Sequence, residues 1–448
     1  MKILSSLLIL AAAAAPLVAQ QQSFTLMPQP QNIPLDTAGR TISLTDAIRL
    51  AQRVQPNAVS ALGTLQNAEA TVRTANGEWL PNLTGNSSAG ANYRQVPGTD
   101  ANGNLLPGGQ TTRTINAGLS SRWDVFTGFR RGADKRAAVA SRTAAEAGLL
   151  DARWQTTYTA TNQFFLALSA RQLLRVRQAS VQRAQEQLTV SINKLKAGSA
   201  TRSDSLRGLV NLGQTQLQLI TAMADLASQE AELGRLVGVS GRVGAEDDSS
   251  FYQVPPFPDA QALLQEAAAQ SPRVQNTEAA VSAARAQLSA AKSGYWPTLA
   301  LTANTQWNGN NTSFDYHMFN QSSLTIGLSW NLFDRFVREQ TITNRDAALV
   351  TAEANAADAR HEIEAQLTTA LATLQAARVG IDIANTSLAA AQEDLRVQKE
   401  RYRLGVATII DQLLSEESLT QAEVDVVTAR FAYLRATAQI EALIGRPL

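Results

Sequence analysis

Side chains able to do bond chemistry are scarce in this chain and do not converge. Cysteine is absent and histidine occurs only as His317 and His361, which removes a thiolate nucleophile, disulfide staples and thiolate metal sites. His361 stands in a helical stretch beside Glu362 and Glu364, and His317 in a predicted loop; no third ligand has motif spacing for a metal. No Gly-x-Ser-x-Gly elbow, phosphate loop or dinucleotide fingerprint occurs. The acid pairs Asp247-Asp248 and Glu416-Glu417 read as solvated surface. What is left is electrostatic, and its best-placed carriers are Asp204 and Asp411. Each follows a glycine (Gly198 or Gly405) by six residues and a threonine (Thr201 or Thr408) by three. An acid at a helix start is worth about a few tenths to one kcal/mol. Around a threefold axis the same carboxylate becomes a ring that concentrates cations at a constriction. No constellation for bond chemistry is left, so neither an enzyme nor a bound cofactor is expected.

The two aspartates are alike because the chain is duplicated. Pro56 and Pro81 recur as Pro272 and Pro297, each 216 positions later. From Trp123 onward the offset is 207: Trp123-Asp124-Val125-Phe126 returns as Trp330-Asn331-Leu332-Phe333, and Leu236-Val237-Gly238 as Leu443-Ile444-Gly445. The change places nine extra residues between Pro81 and Trp123, in a segment that absorbs length cheaply and is therefore an exposed connection. The copies are too long for a solenoid unit, so they are two halves of one object. The expected organisation is a signal peptide over 1–19, an N-terminal extension over 20–42, a first repeat over 43–238, a linker over 239–257 and a second repeat over 258–448.

Each repeat must place its tip at the end of a long helical hairpin. No proline occurs from 108 to 254 or from 298 to 446, and Ala, Gln, Leu, Glu and Arg dominate there, residues that enter helices at little cost. In the second copy Ile363, Leu367, Ala370, Leu374, Ala377, Ile381, Ala384, Leu388, Ala391 and Leu395 step by four and three, a heptad seam that demands helical partners. The first copy keeps it more loosely through Leu174, Val181, Ala184, Leu188 and Leu195, with Arg177 interrupting. A helix over 337–403 would be about 100 Å long. Gly198 and Gly405 stop the long helices by taking positive φ, and shorter helices return over 202–237 and 409–444. A further helix starts after Pro56 and another after Pro272.

The segments after Pro81 and Pro297 change period from helical to alternating. Leu299, Leu301, Ala303, Thr305 and Trp307 alternate with polar residues, as do Leu324, Ile326, Leu328, Trp330 and Leu332. Ile115, Ala117, Leu119 and Trp123 do the same, and Leu83, Ala89, Ala91 and Tyr93 form a weaker run. Four strands follow, at about 82–95, 112–126, 298–308 and 322–333, apolar on one side and mostly uncharged-polar on the other. That is the pattern of a membrane β-barrel, with Leu301, Ile326 and Ile115 toward lipid and Thr302, Thr325 and Asn116 toward the lumen. Tyr93, Trp123, Trp307 and Trp330 sit near strand ends, where aromatic girdles belong. Four strands cannot close a barrel, and an open edge in lipid leaves unpaired amides that each cost several kcal/mol. Several chains must then share one barrel, and three would supply twelve strands.

Composition narrows the setting. The net charge of +1 gives no reason to expect nucleic acid. The start reads as a secretory leader: Lys2, an apolar stretch from Ile3 to Ala15, and expected cleavage after Ala19. The double arginine Arg130-Arg131, just past a strand exit, is expected at interfacial water or headgroups.

The assembled pattern resembles the TolC-like outer membrane efflux protein family over essentially the whole mature chain, from Ser43-Leu44-Thr45-Asp46-Ala47 to Ile444-Gly445-Arg446-Pro447-Leu448. The resemblance is carried by the duplicated Trp-[Asp/Asn]-[Val/Leu]-Phe strand exits and by the tips Gly198-x-x-Thr201-x-x-Asp204 and Gly405-x-x-Thr408-x-x-Asp411. It implies a mainly α fold with membrane β: a homotrimer whose 12-stranded β-barrel in the outer membrane continues as a 12-helix α-barrel across the periplasm. It implies partnership with a periplasmic adaptor and an inner-membrane pump of RND, ABC or MFS type, and contact with outer membrane lipid. It further implies that Asp411 lines the periplasmic gate and that Asp204 and Tyr402 latch the two hairpins. Here the family's second gate aspartate falls at Leu414 and its assisting basic residue at Ala407. The absence of cysteine excludes a lipid anchor on the mature chain. The expected function is a passive export duct; the rival is a periplasmic adaptor or coiled-coil scaffold, which has no use for four lipid-facing strands in two matched pairs.

Overall fold

The computed structural model describes residues 40–95, 98–99, 105–106, 108–253, 259–311 and 318–448. The leader, most of the N-terminal extension, part of the inter-repeat linker and His317 lie outside them. Each repeat opens with a short helix that the sequence reading did not separate, α1 (Leu44–Val54) and α5 (Ala260–Gln270), capped by Ser43 and Asp259. Then come α2 (Pro56–Gly77) and α6 (Pro272–Ala291), each with proline in its first turn, where the missing N–H costs nothing.

The long helices α3 (Arg130–Lys196) and α7 (Val337–Arg403) have 67 residues each. Gly198 at φ +72° and Gly405 at φ +78° turn the chain, and α4 (Arg202–Val237) and α8 (Ile409–Ile444) return beside them. The heptad seam is real: Ile363, Leu367, Ala370, Leu374, Ile381, Ala384 and Leu395 are all buried. Most of them share one apolar cluster with Tyr433, Ala436, Ile440 and Ile444 of α8 and with Leu263 and Val274 of α5 and α6. A second cluster gathers Phe164, Phe165 and Leu168 of α3 with Leu233 and Val237 of α4, and Phe431 of α8 joins it. The two hairpins lie side by side through α3 and α8, and α6 bridges α3 and α7. At this level β1 (Arg40–Ile42) pairs in parallel with β6 (Val243–Ala245), tying the chain's start to the end of the first repeat.

The strands are β2 (Asn82–Gln95), β5 (Gly109–Phe126), β7 (Thr298–Asn311) and β8 (Met318–Ser329), a four-stranded antiparallel sheet in the order β2-β5-β7-β8. A minor ladder, β3 (Gly98–Thr99) with β4 (Leu105–Leu106), lies within the first hairpin connection. The pairs Asn82↔Arg122 and Thr298↔Ser329 are repeat equivalents, so both hairpins hold one register and the nine extra residues fall in the connection beyond Gln95↔Gly109. One strand is displaced from its expected place: β8 spans Met318–Ser329 rather than 322–333, leaving Trp330 to Phe333 off the ladder. Their equivalents in β5 pair with Leu301, Ala300 and Leu299. β8 has no such neighbour in its own chain, because it is an edge.

Candidate functional site: the sheet faces, the strand-to-helix junctions and the hairpin tips

Register decides which side chains share a face, and here it stacks like with like across all four strands. Leu301 lies opposite Ile326 and Trp123, Ala303 opposite Leu324, and Ile115 opposite Ala89. Tyr93 and Trp307 fall on that same face, toward the hairpin ends. The other face holds Asn116, Ser120, Thr302, Asn304 and Thr325, with the Arg122–Asp124 pair at 2.9 Å near the helical end. Arg113, near the hairpin end, is the charge on the apolar face. Leu324, Ile326 and Leu328 are 70–71% exposed, a contiguous apolar surface that water does not favour.

Below each hairpin the chain enters its long helix through closely similar contacts. Trp123 donates from Nε1 to the Trp79 carbonyl at 3.2 Å, and Trp330 to the Tyr295 carbonyl at 3.2 Å. The Arg131 guanidinium bonds the carbonyls of Glu78 (3.2 Å) and Val125 (2.8 Å) and lies over the Trp79 ring. Arg338 bonds those of Gly294 and Asn331 and lies over Tyr295. Thr127 and Asp334 accept from the backbone N–H of these arginines. Arg131 is therefore buried, at 7% exposure, which corrects the expectation that it meets solvent or headgroups. Its charge is used on carbonyls left over where a helix and a strand end. Phe129 and Phe336 adopt left-handed backbone just before the long helices; Phe129 packs edge-on against Phe126 and Trp296, and Phe336 against Phe333.

At the tips, Asp204 and Asp411 close capping boxes. Asp204 accepts from the Thr201 N–H at 2.9 Å while Thr201 Oγ1 accepts from the Asp204 N–H. Asp411 accepts from both the N–H (2.8 Å) and the hydroxyl (2.7 Å) of Thr408, and the hydroxyl bond is the main cause holding its carboxyl below the ordinary range. Asp411 and Leu414 are exposed. Tyr402, in the last turn of α7, is buried at 6% exposure and its hydroxyl has no hydrogen-bond partner among the described residues. The structure does not bring Asp204 and Tyr402 into a hydrogen bond. The group at Tyr402 is instead Lys194 of α3, whose Nζ lies 4.1 Å from the ring centroid and donates to the Tyr402 carbonyl.

Above the tips a polar layer joins α3 to α8. Arg183 makes a two-point pair with Glu423 at 3.1 and 2.8 Å and also reaches Thr420, while Gln187 accepts from Gln412. Glu416 is buried here at 6% exposure, correcting its reading as solvated surface; Glu417 beside it is exposed. Burial pushes the Glu416 carboxyl up, opposed by Lys399, Gln412 and Arg183. Sequence reading missed this layer and Lys194, since a lone polar residue on a helix announces no partner. Arg131 and Arg338 did carry a signal, their recurrence at the 207 offset.

Among the described residues no group of three or more His, Cys, Asp or Glu could hold a metal, and no helix is long and apolar enough to cross a membrane. The family model described as "Outer membrane efflux protein" matches residues 47–239 and 263–446. The chain is 25% identical over 407 residues to the outer membrane efflux protein BepC of Brucella suis biovar 1 (strain 1330), covering 89% of this chain and 86% of that one. It is 23% identical over 317 residues to the outer membrane protein TolC of Escherichia coli (strain K12), covering 67% and 64%. The fold matches that of the outer membrane protein VceC from Vibrio cholerae, with TM-score 0.70 and 18% identity over 90% of this chain and 96% of that one.

Proposed function

Because this chain belongs to the outer membrane efflux protein family, we propose that it forms the outer membrane duct of an export system. In this reading it is a passive homotrimeric channel through the outer membrane and periplasm, opened by an adaptor and an inner-membrane pump of RND, ABC or MFS type. The observation that carries the reading is a sheet with one exposed apolar face and two unpaired edges, β2 and β8. Such edges are tolerated in lipid only when another strand pairs them.

The duplication says how they pair. Within the chain Leu119 lies opposite Thr305. Shifted by the repeat offsets, that contact becomes Ile326 of one copy opposite Ala89 of the next, with apolar face still beside apolar face. The Phe129–Trp296 contact likewise becomes Phe336 against Leu80 of the next copy, and both are exposed in the single chain, at 68% and 70%. Tyr93, Trp123, Trp307 and Trp330 then stand at the two membrane interfaces. Asp411 contributes one carboxylate per copy to a ring at the periplasmic mouth, and the hairpins of one copy are tied at Tyr402, for which Asp204 is the family's partner.

The test uses the absence of native cysteine. Ala89→Cys combined with Ile326→Cys should cross-link under mild oxidation into covalent trimers in outer membrane fractions. Ala89→Cys with Thr325→Cys, on opposite faces, should not. A monomer in the soluble periplasmic fraction would remove the duct reading.

A further inference from the structure

We propose that Lys194 ties the tips of the two hairpins of one copy, below the Arg183–Glu423 layer, by seating its ammonium on the C-terminal end of α7 and on the face of the Tyr402 ring. The inference rests on the duct reading and concerns how its periplasmic mouth stays closed. Both α3 and α7 end at the tips, so the partial negative charge of two helix C-termini accumulates there. Lys194, in the last turn of α3, answers it: Nζ donates to the Tyr402 carbonyl, lies 3.4 Å from the Arg403 carbonyl and 4.1 Å from the ring centroid. An ammonium has three donors and no acceptor, so carbonyls and a π face suit it.

Tyr402 is equipped for this role by its ring rather than by its hydroxyl. Its ring is buried and thus held in place, while Oη makes no hydrogen bond among the described residues. The carboxylate that the family resemblance assigns to the hydroxyl, on Asp204, is engaged with the Thr201 N–H. The tie has no copy elsewhere in the chain: the repeat equivalents of Lys194 and Tyr402 are Arg401 and Leu195. A cation facing a leucine has no ring to sit on, so this contact belongs to the seam between the hairpins of one copy.

The test separates ring from hydroxyl by recording full-length protein in planar bilayers. Lys194→Met should raise open-state occupancy at rest about tenfold through loss of the cation–π and carbonyl contacts. Lys194→Arg should restore closure, and Tyr402→Leu should open the channel as Lys194→Met does. Tyr402→Phe should leave it closed, because ring and carbonyl both remain. Trimer mass in detergent should be unchanged throughout. The proposal is overturned if Lys194→Met stays as closed as the unsubstituted protein, if it no longer assembles, or if Tyr402→Phe opens as readily, which would return the tie to the hydroxyl and Asp204. An unsubstituted protein that forms no conducting trimer would instead defeat the duct reading itself.

Discussion

The junction below β5 and the junction below β8 share their main contacts, with Trp123 and Trp330 on a carbonyl and Arg131 and Arg338 over an aromatic ring. The helical surfaces further down descend from the same duplication and have diverged. Arg183, Gln187, Glu416 and Glu423 build a polar layer between α3 and α8. Their repeat equivalents are Ala390, Asp394, Leu209 and Gln216, and the face of α4 near Leu209 carries exposed Leu206, Val210, Leu217 and Ile220. The tryptophan and arginine bonds of a junction are satisfied within its own half, so duplication copies them, whereas the Phe129–Trp296 packing crosses from one half to the other. A helix face answers to its neighbour, and the two halves have different neighbours. In a trimer, α8 meets α3 of its own copy while α4 must meet another copy.

The junctions offer the strongest way to break this comparison. Arg131→Ala strands two carbonyls in a buried site and should cost about 3–5 kcal/mol, seen as a lower temperature for trimer dissociation. Arg338→Ala should act in the same direction and less, since its bonds are longer, at 3.4 and 3.3 Å. A large effect at one junction with none at the other would end the claim that they are equivalent.

The sheet extends the test to the membrane face. Leu119 and Ile326 are repeat equivalents on the apolar side, and arginine at either should cost about 2–4 kcal/mol at mid-barrel. Thr325→Arg, facing the lumen, should be tolerated. Membrane-inserted trimer, quantified for each variant, decides between these outcomes; equal tolerance on both faces would remove the barrel assignment.

The polar seam should respond to pH through Glu416. Burial raises its carboxyl above the ordinary value of 4.5, so the folded seam binds the proton more tightly than the separated helices do. That contribution is complete below pH 4.5 and is lost as pH rises through the raised value. Protease protection of the hairpins should therefore weaken as pH climbs above 4.5, and Glu416→Gln should flatten the dependence. The opposite slope would mean that Arg183 and Lys399 outweigh burial.

The smallest effect is expected at the Thr201–Asp204 and Thr408–Asp411 caps, which the two repeats share. Asp411→Asn should lower the cation-over-anion permeability ratio with little change in trimer yield. Asp204→Asn, the same cap in the first hairpin, should leave the ratio alone. Equal ratios for the two variants would reduce Asp411 to a helix-start acid.

Much of the architecture was legible in the sequence because it is written in short-range periods. The heptads of 363–395 require a helical seam wherever that helix packs, Gly198 and Gly405 must end the helices, and alternation from Leu299 to Trp307 assigns faces before any strand is paired. The repeat offsets even locate the long hairpin connection. What periodicity cannot state is which polar residue lies under a neighbour. Arg131 and Glu416 read as surface and are buried, because the elements covering them are more than fifty residues away for the Glu78 carbonyl and more than two hundred for Gln187. Tyr402 was legible as a tie point, whereas its cation, Lys194, became visible only when α3 and α7 ended side by side. The end of β8 at Ser329 rather than at Phe333 has the same origin. Where a strand ends is set by its partners' backbones, and this edge has no second partner within the described residues of the chain.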